Sequence, residues 1–173
     1  MTCEFDRHYM RLALDLARKA EGQTNPNPVV GAVLVKSGEV VAKGYHKKAG
    51  LPHAEIIALR KAGSKARGAD LYVNLEPCCH HGRTPPCTEA IIAAGIKRVI
   101  LGIRDPNLLV SGRGIRFLRK QGVEVVTGVL RRDCEKINES FVKYITTGRP
   151  WVILKSAFSL DGKIATRTGD SRW

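Results

Sequence analysis

His53, Cys78 and Cys87 can serve a single metal ion only if two separate stretches of chain end at the same point. His53-Ala-Glu55 opens the stretch from Ala54 to Ala62, where Ile56, Ile57, Leu59 and Ala62 recur at helical intervals before Gly63. His53 and Glu55 therefore belong to the first turn of a helix. Cys78 follows Leu71 to Leu75, which reads as a strand, and Cys87 precedes a helical stretch from Glu89 to Ala94 that is closed by Gly95. A histidine with two thiolates is a soft, tetrahedral-friendly donor set suited to zinc, and three protein ligands leave the fourth position for water. An open site of this kind is catalytic rather than structural.

The remaining elements follow the same periodicities. Tyr9, Leu12, Ala13, Leu16, Ala17 and Ala20 mark an amphipathic first helix over Phe5 to Ala20, stopped by Gly22. Val29-Val-Gly-Ala-Val-Leu-Val35, the Ser37-Gly38 turn and Val40 to Gly44 predict a buried antiparallel hairpin. Val99 to Gly102 reads as a strand, Ile115 to Lys120 as a helix, Val123 to Val126 as a strand, and Leu130 to Ile145 as one long last helix closed by Gly148. Strand and helix alternate beyond the hairpin, which gives an α/β class with parallel pairings on a mixed sheet.

Glu55 lies two residues from His53, close enough to face water on the metal without being a ligand. A carboxylate there can take a proton from water and pass it to a ring nitrogen and a departing amine. His-x-Glu followed by Pro-Cys-x-x-Cys is the signature of the zinc nucleobase deaminases. Here eight residues, Cys79 to Pro86, replace the usual spacer of about two. Two prolines and Thr84 before Cys87 suit a loop entering a helix N-terminus, where backbone N–H groups stabilise a thiolate. Cys79 and His80 compete as ligands by proximity, but neighbouring side chains diverge, so Cys87 is favoured over Cys79. A closed structural site with Cys79 or His80 as the fourth ligand is the bland alternative, and Glu55 argues against it.

Composition narrows the classes further. The 173 residues, 43% of them hydrophobic, suffice for one core and fall short of two ordinary domains. No apolar stretch approaches the roughly 20 residues that cross a bilayer, and the first residues lack a signal-peptide pattern, which makes the cytoplasm the default location. Five cysteines, an odd number, favour free thiols or metal ligands over a disulfide framework. The net charge of +13 favours an anionic partner or simply solubility. Its basic residues are dispersed without interleaved aromatics, so nucleic acid is not the expected partner.

Taken together, Asn25-Pro-Asn-Pro-Val-Val-Gly31, Gly44-Tyr-His46, His53-Ala-Glu55, Leu75-Glu-Pro-Cys-Cys-His-His-Gly-Arg-Thr-Pro-Pro-Cys87, Asp105-Pro-Asn107 and Gly112-Arg-Gly114 resemble one family. It is the deaminase half of the bifunctional riboflavin-biosynthesis deaminase/reductases, within the cytidine deaminase-like superfamily. The resemblance implies a three-layer α/β/α sandwich and hydrolytic removal of the ring amine from a diaminopyrimidinone ribosylamine phosphate. It also implies a homo-oligomer, one zinc per chain, and contacts to base and ribose phosphate from Asn27, His46, His80, Arg83, Thr84, Asp105 and Asn107. Physical chemistry supports part of this: the Arg83 fork of donors suits phosphate, and the Asn27 amide suits a pyrimidine edge. Cys79 stands where that family often has serine, and Leu108 where it often has proline.

The stretch from Arg149 to Ala165 resembles the opening strand and turn of the family's reductase half, with Trp151 to Lys155 as the strand. Residues 1–148 are thus expected to be the deaminase domain, and 149–173 a linker with the opening of an incomplete reductase domain. NADPH is a cofactor only where a complete reductase follows, and this chain is expected to deaminate without reducing. Two alternatives are a deaminase for cytidine, deoxycytidylate or transfer-RNA adenosine, and a zinc-stabilised module drawn to nucleic acid by charge.

Overall fold

The computed structural model describes residues 4–80, 85–108 and 110–171. Its elements run α1 (Glu4–Arg18), β1 (Gly31–Lys36), β2 (Glu39–Tyr45), α2 (Ala54–Ala62), β3 (Asp70–Leu75), α3 (Cys87–Ala93), β4 (Arg98–Ile103), α4 (Arg113–Lys120), β5 (Glu124–Thr127), α5 (Arg131–Ile137) and α6 (Glu139–Thr147). A short 3₁₀ turn, Gly63–Ala66, continues α2. The five strands form one sheet in the order β2-β1-β3-β4-β5. β1 is antiparallel to both β2 and β3, whereas β3, β4 and β5 are parallel. The sheet is mixed as expected, with the hairpin supplying the antiparallel half.

Helices cover both faces. α1 packs on β1 and β3 and reaches α5, while α2 lies on β1 and β2 and neighbours α3, which in turn touches α4. Two glycines permit this close layering. A Cβ on Gly31 would stand 1.9 Å from the Ala13 carbonyl oxygen, and one on Gly44 would stand 2.4 Å from the Ala54 carbonyl oxygen. Strands buried on both faces read as apolar runs, which is why Leu34, Leu71, Val73, Ile100 and Leu101 are all fully buried.

Two expectations need correction. The last long helix is broken into α5 and α6 at Asn138, whose amide is turned inward: Oδ1 accepts from Val29 N at 2.9 Å and Nδ2 donates to Val29 O at 3.1 Å. Trp151 to Lys155 forms no strand. Val152, Ile153 and Leu154 are 77–89% exposed, because no neighbouring strand offers them a ladder. Trp151 instead lies under the Lys143 ammonium, 5.4 Å from the ring centre.

Candidate active site

His53 is the N-cap of α2, with extended backbone (φ −68°, ψ 160°), so its ring leaves the helix start instead of lying along it. Cys87 is the first residue of α3, and Cys78 lies just beyond β3, at the carboxyl end of the sheet's parallel half. The three donors meet. His53 Nδ1 is 3.2 Å from Cys87 Sγ and 3.6 Å from Cys78 Sγ, and all three donor atoms lie within 4.8 Å of one another. Zinc bonds of about 2.3 Å to sulfur and about 2.0 Å to nitrogen at tetrahedral angles separate neighbouring ligands by roughly 3.5 Å. The triangle therefore already has the dimensions of one face of a zinc tetrahedron, and the donor set fits the metal.

Electrostatics favour thiolate in this triangle. The Cys78 thiol is held well below its usual range, first by the Cys87 side chain and then by His53 and the Cys87 backbone N–H. That N–H donates to Cys78 Sγ at 3.3 Å. Pairing with Cys78 and burial push the Cys87 thiol up. His53 is raised, chiefly by its contact with Cys78. Among the described residues no Asp, Glu, His or other Cys joins these three. Cys79 and His80 thus stay outside the ligand triangle, and the closed four-ligand alternative finds no support.

Glu55 sits in the first turn of α2, 4% exposed, with its carboxyl raised to about 7 by burial and then by the Cys78 thiolate. It faces a cavity of about 220 Å³. His53, Cys78, Asn27, His46, His80, Asp105 and Asn107 line the same cavity, and Cys87 is fully buried beside it. Apart from Cys87, every anticipated site residue within the described part of the chain lines this one cavity. Arg83 and Thr84 lie outside the described residues.

His46 is 2% exposed, and both its ring nitrogens are engaged. Nδ1 is 3.2 Å from the Pro52 carbonyl oxygen and Nε2 is 3.1 Å from Asn27 Nδ2. A carbonyl only accepts, so Nδ1 carries the proton, and burial together with His53 keeps the ring neutral. Nε2 must then accept from the Asn27 amide. This fixes the Asn27 flip and turns its oxygen away from His46.

Other residues hold the site and carried little sequence signal. Asn74, fully buried within β3, accepts from Gly31 N at 2.9 Å and donates to Val29 O at 3.0 Å, so together with Asn138 it clamps the segment after Asn27-Pro28. An amide in the middle of an apolar strand was the available hint. Glu76, 3% exposed, accepts the backbone N–H groups of Asp105, Gly112 and Ile115. Val110 and Phe141 supply apolar wall.

Comparison with known proteins agrees with this geometry. Residues 3–103 match the model of the cytidine and deoxycytidylate deaminase zinc-binding region. The chain is 58% identical over 173 residues to the riboflavin biosynthesis protein RibD of Aquifex aeolicus, covering all of this chain and 49% of the relative. Against the Escherichia coli protein of the same name, identity is 51% over 168 residues, or 97% of this chain and 46% of the relative. Among solved structures, the diaminohydroxyphosphoribosylaminopyrimidine deaminase/5-amino-6-(5-phosphoribosylamino)uracil reductase of Thermotoga maritima superposes with a TM-score of 0.94 at 50% identity. That match covers 98% of this chain and 49% of the other. The chain spans about half the length of the curated relatives it matches.

Proposed function

Because the chain belongs to the cytidine and deoxycytidylate deaminase zinc-binding family, we propose that it hydrolyses the ring amine of a diaminopyrimidinone ribosylamine phosphate, releasing ammonia and the aminopyrimidinedione phosphate. The observation that carries this reading is the His53, Cys78, Cys87 triangle opening onto a cavity lined by the buried Glu55 carboxyl two residues from His53. The high identity to riboflavin-biosynthesis relatives supports the choice of substrate over free nucleosides or transfer RNA.

His53, Cys78 and Cys87 would hold one zinc ion, which when bound would supply a Lewis acid that makes water nucleophilic near neutral pH. Glu55 carries one proton from the attacking water to the ring nitrogen and a second, from the hydroxyl added to the ring carbon, to the departing amine. A carbon–oxygen bond forms, the carbon–nitrogen bond breaks, and one water is consumed per ammonia released. Burial raises the Glu55 carboxyl, which suits it to hold and give a proton. Asn27, oriented by His46, presents its amide oxygen to the pyrimidine. His80, Asp105 and Asn107 line the same cavity, and Arg83 and Thr84 are assigned to the ribose phosphate on sequence grounds.

Residues 1–148 form the deaminating unit in this reading, and 149–173 a linker into the opening of a reductase domain. NADPH is a cofactor only where that domain is complete. The protein is assigned to the cytoplasm as a homo-oligomer, without membrane or nucleic-acid partners; among the described residues no helix is long and apolar enough to cross a membrane. The test is ammonia release from the phosphorylated diaminopyrimidine, cytidine, deoxycytidylate and transfer RNA by the zinc-loaded chain. Release from the first substrate alone supports the reading, and release only from the others overturns it.

A further inference from the structure

We infer that Glu76 is a positioning residue that fastens the 105–111 loop to the metal-ligand turn; its catalytic consequence rests on the deaminase reading above. Its carboxylate accepts three backbone N–H groups from a distant part of the chain. Oε2 takes Asp105 N at 3.2 Å and Gly112 N at 2.8 Å, and Oε1 takes Ile115 N at 3.1 Å. Asp105 is where the chain leaves β4, and Gly112 and Ile115 are where it enters α4. Both ends of the loop are thus pinned to one side chain, two residues before Cys78.

Three features make this more than burial of a polar group. First, the α4 N-cap is Gly112, which has no side chain to satisfy the first helical N–H groups, and Glu76 supplies the missing cap from the residue after β3. Second, Gly114 lets the helix come this close, since a Cβ there would stand 2.4 Å from Pro77 O and 3.2 Å from Glu76 Oε1. Third, only an acceptor-only group can take N–H donors on both oxygens; a glutamine would aim its own amide hydrogens at one of them. The loop so held brings Asp105 and Asn107 to the cavity that His53, Glu55 and Cys78 also line. Glu76 therefore sets the spacing between the wall that meets substrate and the centre that activates water.

The experiment compares the full chain with Glu76→Gln and Gly114→Ala, measuring zinc content, amide hydrogen exchange over residues 105–111, and kcat and KM for ammonia release. In Glu76→Gln the loop amides are expected to exchange on the order of tenfold faster and KM to rise on the order of tenfold, with zinc content unchanged and kcat less affected. Gly114→Ala, which pushes α4 off the carboxylate without altering it, is expected to give the same signature, and the double variant to be no worse than the worse single one. It also carries the test should Glu76→Gln not fold. A lower melting temperature with unchanged loop exchange or unchanged KM would overturn the inference. If the unaltered protein releases no ammonia from any substrate, the functional reading fails, while loop exchange in the two variants still decides whether Glu76 fastens the loop.

Discussion

Asn27 Nδ2 donates to His46 Nε2 across 3.1 Å, and the Pro52 carbonyl on the other side of the ring leaves His46 no alternative tautomer. His46 lines the same cavity as Asn27 and, in the proposed reading, fixes which end of the Asn27 amide faces the substrate. Replacing His46 with alanine frees the amide to rotate. KM for the phosphorylated diaminopyrimidine is expected to rise on the order of tenfold with zinc retained, as fits the loss of one oriented hydrogen bond. Steady-state kinetics normalised to zinc content check this; an unchanged KM would mean that Asn27 is held by something else.

Glu55→Gln separates catalysis from stability. The carboxyl is buried, and an amide of the same shape fills its place without a charge to desolvate. Zinc content and melting temperature are expected to hold or rise, whereas kcat falls by about 10²- to 10⁴-fold through loss of the proton carrier. Ammonia release near the level of the unaltered protein would remove Glu55 from the mechanism.

Much of this was legible because the relevant signals are local. The apolar spacing from Ala54 to Ala62 and the stop at Gly63 give α2 to the residue, and His-Ala-Glu with the two cysteines names the donor triangle. What escaped is tertiary. Nothing near Asn138 says that its amide will leave a helix to bond Val29, 109 positions away, so α5 and α6 read as one element. Glu76 has no local signal of its role, because its partners Asp105, Gly112 and Ile115 are brought to it only by the fold. Trp151 to Lys155 has strand composition, but pairing needs a neighbour as well as propensity.

Cys78 and Cys87 differ from Cys79 despite the shared segment. Removing zinc with a chelator is expected to abolish ammonia release and lower the melting temperature, and adding zinc back to restore both. Cys87→Ser is expected to lose the metal. Cys79→Ser should keep one zinc and full activity, because Cys79 lies outside the triangle. Elemental analysis of the two variants decides it: zinc lost from Cys79→Ser and kept by Cys87→Ser would reverse the ligand assignment.

Alkaline stability should report on Tyr72. Its hydroxyl donates to Asp6 Oδ1 at 2.9 Å within a network completed by Arg98, whose guanidinium also reaches Asp70 at 2.9 Å and Glu124 at 3.2 Å. Burial, then the bond to Asp6, raises the phenol well above its ordinary range. A raised folded-state value means that the unfolded chain loses this proton first, near pH ~10, while the folded chain keeps it. The contribution is therefore complete below pH ~10 and declines above it by up to about 1.4 kcal/mol per pH unit, until the folded phenol ionises in turn. Tyr72→Phe is expected to be less stable at pH 7 by about 1.5–3 kcal/mol, the range for a hydrogen bond to a charged group. The gap should then narrow as pH rises from 10 to 11.5, because only the unaltered protein has this phenol to lose. Denaturant unfolding of both proteins across that range checks the sign. Lysines and the remaining tyrosines titrate in both and cancel in the difference, so parallel curves would show that Tyr72 ionises no later in the folded protein than in the unfolded one.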